Sequence, residues 1–136
     1  MALRQRIDKS RSDPPAPLHE LEAEIMEELW RSGESSVREV MESLNRHAAK
    51  ARAYTTYMTV MARLHKKGLL IRMREGKVDY YAPAYDRDDY MARRAGADVD
   101  DLVAQYGEVA LTHFARQMAE LDPVRRRALQ RLARKA

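Results

Sequence analysis

The segment 55–83 constrains the fold more than any other. Tyr57, Val60, Met61 and Leu64 recur at helical spacing, so at ~100° per residue they line one apolar face of a helix over 55–67. Gly68 ends it. Two short runs follow at once, 69–74 and 78–82, joined across Glu75, Gly76 and Lys77. That is the signal of a β-hairpin. In the first run Ile71 and Met73 alternate with Arg72 and Arg74, Lys77 stands at the tip, and Pro83 closes the unit.

Two amphipathic helices precede this segment. Leu18, Leu21, Ile25 and Leu29 repeat at intervals of three and four, which predicts a helix over 18–32. Its first turns hold Glu20, Glu22 and Glu24, where the helix dipole favours anions, and Gly33 supplies a stop. Ser36 with Glu39 three residues on is a capping box. It opens a second helix over 37–46, whose stripe is Val37, Val40, Met41 and Leu44. The polar, basic stretch 46–53 reads as a loop. Helix, helix, helix, hairpin is the order of a winged helix-turn-helix. In that motif the second helix of the turn pair enters the major groove of DNA, which assigns the role to 55–67.

The outward face of that helix suits the role. Opposite the buried stripe lie Thr55, Thr59, Ala62 and Lys66, flanked by Thr56 and Arg63. Small hydroxylic side chains let a helix seat close to base edges, and thymine methyls and base-edge donors are their natural partners. Charge agrees. Between 46 and 77 there are nine basic groups and one acid, Glu75, whereas 18–45 holds eight acids and two bases. A winged-helix domain over 18–84 is therefore acidic in its first half and basic in its second, a field that favours a polyanion on one face. The expected phosphate contacts are Arg52, Lys66, Arg72, Arg74 and Lys77, with Tyr54 able to donate to a phosphate. These give affinity and salt dependence rather than sequence choice.

Composition removes other classes. Zero cysteines exclude a disulfide framework, a thiol nucleophile and a cysteine-based zinc site. With 45% hydrophobic and 34% charged residues, the chain is not wholly disordered. No apolar run approaches the ~18 residues of a membrane span, and the N-terminus lacks a secretory h-region, so neither membrane insertion nor secretion is expected and the expected location is the cytoplasm. His19, His47, His65 and His113 stand isolated, without metal-ligand spacing, and there is no Gly-rich phosphate loop or nucleophile elbow. The expectation is no enzyme, no metal and no cofactor. Residues 1–17, with Pro14, Pro15 and Pro17, read as a flexible basic arm.

Beyond Pro83 the pattern changes. A short helix capped by Asp86 is expected to reach Arg94, with a hinge at Gly96 and a fresh cap at Asp98. From there Leu102, Val103, Tyr106, Val109, Ala110, Phe114, Met118 and Leu121 continue a helical stripe over 99–121. Asp122 and Pro123 open a last helix over 123–135. Such a stripe needs a partner, and a second copy of the chain is the simplest. Residues 85–136 are thus expected to be a helical dimerisation region.

Residues 53–83 resemble the penicillinase/methicillinase repressor family (BlaI/MecI). Its pattern A-Y-T-T-x-M-T-V-x-x-R-L-x-x-K-G-L-L is met by Ala53, Tyr54, Thr55, Thr56, Met58, Thr59, Val60, Arg63, Leu64, Lys67, Gly68, Leu69 and Leu70, followed by a basic wing. Leu18, Leu21, Ile25, Met26, Leu29 and Trp30, then Val37 to Val40, extend the likeness upstream. Position 57 is Tyr where the family pattern has a small aliphatic; lying on the core side, it bears on packing rather than readout.

The resemblance implies a homodimeric repressor on a double-stranded, pseudo-palindromic TACA/TGTA-like operator. It places Tyr54, Thr55, Thr56, Thr59 and Arg63 on the DNA side of the recognition helix and Arg72, Arg74 and Lys77 on the wing. It also implies a sensor protease system whose signal leads to cleavage in the dimer arm. In the best-known members of the family the arm is cleaved at an Asn-Phe bond, and the nearest equivalent here is His113 and Phe114. Two rivals remain: release by a small ligand in the arm, and a winged helix used only for protein assembly.

Overall fold

The computed structural model describes residues 13–135. It divides into two compact units, meeting between Ala95 and Gly96. The first holds α1 (Glu20–Ser32), β1 (Ser35–Ser36), α2 (Val37–His47), α3 (Tyr54–Lys66), β2 (Leu70–Glu75), β3 (Val78–Pro83) and the start of α4 (Arg87–Tyr106). The rest of α4, α5 (Glu108–Ala119) and α6 (Pro123–Lys135) belong to the second. No helix among the described residues is long and apolar enough to cross a membrane.

The first unit is a winged helix. Its strands form one antiparallel sheet in the order β1-β3-β2. The wing ladder runs from Leu70 opposite Pro83 to Glu75 opposite Val78, leaving Gly76 and Lys77 as the two turn residues. Gly76 takes φ +64, and among the described residues no non-glycine has positive φ. That is the φ pattern of a type II′ turn, which matches the twist of a hairpin and calls for glycine at its first central position. β1 is a strand the periodicity does not announce. Ser35 and Ser36 pair with Tyr81 and Tyr80.

Caps fix the helix starts. α1 begins at Glu20, two residues later than its apolar repeat, because His19 takes the capping position and donates its amide to Glu22 Oε1 at 2.9 Å. α2 opens on the expected capping box: Ser36 Oγ accepts from the Glu39 amide at 3.2 Å, and the Ser36 amide donates to Glu39 Oε1 at 2.8 Å. The three helices then bury the stripes foreseen for them. Ile25, Met26 and Leu29 of α1, Val40 of α2, and Tyr57, Met61 and Leu64 of α3 meet in one core. From the sheet Leu70 of β2, rather than Ile71, and Tyr81 of β3 join that cluster.

The proline-rich arm behaves differently from expectation where it is described. Residues 1–12 lie outside the described residues. Over 13–17 the chain is held: Pro15 is buried, its carbonyl accepts from Arg94 Nη1 at 2.7 Å, and the Ala16 carbonyl accepts from Tyr90 Oη at 2.9 Å. Tyr90 is itself buried beside Trp30, ring centroids 5.5 Å apart, and Trp30 Nε1 donates to the Tyr85 carbonyl at 2.8 Å. Arg87 grips Glu27 of α1 through two nitrogens at 2.9–3.2 Å. These contacts carry the first unit through Ala95.

Two glycines exchange roles relative to expectation. Gly96 lies inside a helix and Asp98 caps none, because α4 runs through both. The break falls at Gly107, φ +57 and ψ −130, a conformation open in practice only to glycine. The stripe over 99–121 is therefore split between α4 and α5. α6 starts at Pro123 as foreseen, with Asp122 Oδ1 accepting from the Arg125 amide at 2.9 Å. Arg126 turns back and donates to the carbonyls of Met118, Ala119 and Leu121 at 2.9–3.2 Å, satisfying the open C-terminal end of α5.

Candidate nucleic-acid interface

The candidate interface is built on α3. Its inner stripe is buried, so its outer face is fixed by the core. Thr55, Thr56, Thr59, Ala62, Arg63 and Lys66 are all exposed, and Thr55, Thr56, Thr59 and Arg63 share one shallow groove on that face. The helix carries no acid; its last turn adds cations.

What aims this helix is a polar clamp. Asn45, near the end of α2, donates Nδ2 to the Arg52 carbonyl at 2.9 Å and accepts from the Arg52 amide at 3.0 Å. Its Oδ1 also accepts from Tyr57 Oη at 2.8 Å. One side-chain amide thus fastens the loop before α3 and the helix's own buried tyrosine. Tyr57 is a core residue with a satisfied hydroxyl, which is how a buried phenol avoids a desolvation penalty. At the other end, Lys67 Nζ lies 2.7 Å from Glu22 Oε2. Burial pushes the Glu22 carboxyl up, but the His19 amide and the Lys67 ammonium together pull it down by more, so it ends below its ordinary value.

The wing supplies the flank. Arg72, Arg74 and Lys77 are exposed. Arg74 Nη1 sits 3.9 Å from Asp79, the residue opposite it in the ladder. Arg52 is partly buried, and its guanidinium lies 3.5 Å from Glu24 of α1, so it joins the loop to α1 in the free protein.

Three residues outside the sequence-derived set lie at the same surface. Arg38, exposed in the first turn of α2, has its guanidinium 5.9 Å from the centre of the Tyr54 ring. Arg38, Tyr54, Met58, Lys77 and Val78 line one cleft of about 530 Å³ between the N-terminal turns of α2 and α3 and the wing. Arg38 escaped because it sits in the acidic segment of the sequence, and only the fold carries it beside Tyr54. The sequence signal available was its place two residues after the Ser36 cap.

In the second unit Leu102, Tyr106, Val109 and Phe114 are exposed, Val103, Met118 and Leu121 half-buried, and Ala110 buried. α6 adds Val124 and Leu132, both exposed. His113 and Phe114 lie inside α5 and are exposed.

Comparison with known proteins gives a consistent result. A family model described as Penicillinase repressor matches residues 18–135. The transcriptional regulator BlaI of Mycobacterium tuberculosis (strain ATCC 25618 / H37Rv) is 38% identical over 116 residues, covering 80% of each chain. The penicillinase repressor of Bacillus licheniformis is 31% identical over 74 residues, 54% of this chain and 56% of its own. A solution structure of the DNA binding domain of the repressor BlaI is 30% identical, with a TM-score of 0.49 over 59% of this chain and 94% of that one. Monomeric Bacillus licheniformis BlaI in complex with the blaP half-operator is 30% identical, with a TM-score of 0.47 over 56% of this chain and 90% of that one. The family is one of transcriptional repressors rather than enzymes, and on a match spanning 18–135 the chain belongs to the penicillinase repressor family.

Proposed function

We propose that the chain is a homodimeric repressor that binds a pseudo-palindromic operator of double-stranded DNA and leaves it on an inducing signal. The observation that carries this is the outer face of α3: three threonines and an arginine in one exposed groove, on a helix whose opposite face is locked in the core. Thr55, Thr56 and Thr59 would read base edges and thymine methyls, and Arg63 a guanine edge or a phosphate. Lys66, Arg72, Arg74 and Lys77 neutralise phosphates. Arg52, whose Nη1 lies 3.5 Å from Glu24, can join them with its remaining donors.

Dimerisation is supported by the apolar side chains that the second unit leaves in water. Tyr106, Val109, Val124 and Leu132 are each more than half exposed, a surface that a second copy would cover. Two tethered half-site contacts gain affinity through effective concentration, and recognition helices ~34 Å apart would span one turn of DNA. Release by cleavage at His113 and Phe114, through a sensor protease, requires α5 to open locally, because that bond lies within a regular helix.

Fluorescence anisotropy tests the reading with two duplexes, one bearing a TACA/TGTA pseudo-palindrome and one scrambled. Tighter binding to the first, at two chains per duplex, is expected. Equal, salt-sensitive binding to both would remove the operator assignment. No binding to either at low salt would turn the reading toward protein assembly.

A further inference from the structure

We propose that α6 is a second nucleic-acid contact, with its arginine row Arg127, Arg131 and Arg134 on phosphates of the duplex outside the two half-sites. This rests on the DNA-binding reading above and extends it from the winged helix to the second unit. α6 holds six cations and no acid in 13 residues. One of the six is committed, since Arg126 closes the end of α5 through three carbonyls. Arg125, Arg127, Arg131, Arg134 and Lys135 are exposed, and among the described residues none of them forms an ion pair.

Positions 127, 131 and 134 are four and three apart, so their side chains share one face. At ~1.5 Å per residue the row is ~10 Å long. Leu129 lies on the opposite side of the helix and Leu132 well round from the row, so a second copy that covers those two leaves the arginines in water. Val124, at the start of the helix, is the exposed apolar residue that borders the row. The acids of the second unit stand on other elements. Asp98, Asp100 and Asp101 belong to α4, and Glu108 to the first turn of α5. Glu120 and Asp122 precede α6, and Asp122 Oδ1 accepts the Arg125 amide at 2.9 Å.

Three arginines in a row repel one another, and a polyanion relieves that repulsion. Duplex DNA carries one charge per ~1.7 Å of axis, so a row ~10 Å long meets several phosphates, and the guanidinium fork matches them. An anionic membrane is another polyanion that a helix can meet, but surface helices of that kind sink Trp, Phe and Leu into the lipid. α6 has no aromatic residue. The charge therefore favours the duplex this protein is already read as binding.

Phosphate contacts outside the half-sites make affinity depend on duplex length without choosing a sequence. Two duplexes expose them: the operator-like palindrome alone, and the same palindrome extended on each side by about 10 base pairs, one helical turn. Full-length wild type is expected to bind the extended duplex more tightly and with a steeper salt slope. Arg127→Gln, Arg131→Gln and Arg134→Gln, made together, keep helix propensity. They should lower the slope on the extended duplex by up to ~3 per chain and abolish the gain from extension. Affinity for the short duplex, preference over scrambled DNA and sedimentation of the free protein should stay as in wild type. Wild type that gains nothing from extension overturns the proposal and leaves the winged-helix reading standing. So does a triple variant that keeps wild-type affinity and slope on the extended duplex. A triple variant that sediments as a monomer where wild type is a dimer would assign the row to a second copy. One that loses binding to phosphatidylglycerol vesicles, with DNA binding unchanged, would assign it to a membrane. Either result overturns the DNA contact. Wild type that binds neither duplex overturns the DNA reading and this contact with it.

Discussion

Lys67 Nζ and Glu22 Oε2 stand 2.7 Å apart, joining the C-cap of α3 to the first turn of α1. Glu22 is 2% exposed and already accepts the His19 amide, so one carboxylate both starts α1 and holds the far end of α3. A buried charge of this kind matters most when its partner is removed.

Glu22→Gln is therefore expected to destabilise the winged helix by about 1–3 kcal/mol at pH 7. The pH dependence has a definite sign. The folded carboxyl lies below its ordinary value of 4.5, so its contribution is fully present above that value and is lost as pH falls through the folded one. The gap between wild type and Glu22→Gln should close in acid. Urea unfolding followed by the fluorescence of Trp30, the one tryptophan, measures it. A gap that stays constant from pH 7 to pH 3 would remove the ion pair as its cause.

The clamp at Asn45 gives a second expectation. Tyr57→Phe removes one hydrogen bond and leaves Asn45 Oδ1 with the Arg52 amide, so the cost should be about 0.5–1.5 kcal/mol. Asn45→Ala releases the Arg52 backbone as well as the Tyr57 hydroxyl and should cost more. It should also weaken DNA binding beyond its effect on stability, because the loop that starts α3 is freed. Equal stability losses in the two variants would show that Asn45 acts through Tyr57 alone.

The parts of the fold legible in sequence are those whose signal is local. The stripe Tyr57, Val60, Met61, Leu64 reports its own burial through the helical period, and Ser36 with Glu39 reports its own cap. β1 is illegible because Ser35 and Ser36 become a strand only by pairing with Tyr81 and Tyr80. The Asn45 clamp and the Arg38–Tyr54 approach are long-range for the same reason. The glycines mislead in opposite ways. Gly96 costs about 1 kcal/mol inside a helix, a penalty that Ala95 and Ala97, strong helix formers, help offset, and α4 continues. Gly107 sits within an unbroken apolar repeat, yet its backbone turns. The threonine face was legible because it is the complement of a buried stripe, whereas Met58 and Val78 emerged only once the wing was placed beside α3.

Readout and affinity should separate by residue. Thr56→Ala or Thr59→Ala is expected to lose ~1–3 kcal/mol of discrimination between operator-like and scrambled duplexes, with the salt slope kept. Lys77→Ala should weaken both duplexes equally and lower the slope by ~1. A threonine variant that keeps the wild-type ratio would sink the readout assignment.

Dimerisation can be tested without disturbing the winged helix. Val109 is 61% exposed in the single chain and lies in α5, so a charge placed there costs the isolated chain little. If a second copy covers this surface, Val109→Glu buries an unpaired carboxylate at the interface, which is strongly unfavourable. Sedimentation velocity should then show a monomer where wild type is a dimer, while the Trp30-reported unfolding of the first unit stays as it was. DNA affinity should fall by roughly 10²–10⁴, the avidity lost when two half-sites are no longer tethered. The single half-site contact should survive with its preference intact, since α3 is untouched. A Val109→Glu protein that still sediments as a dimer would place the interface elsewhere on the second unit.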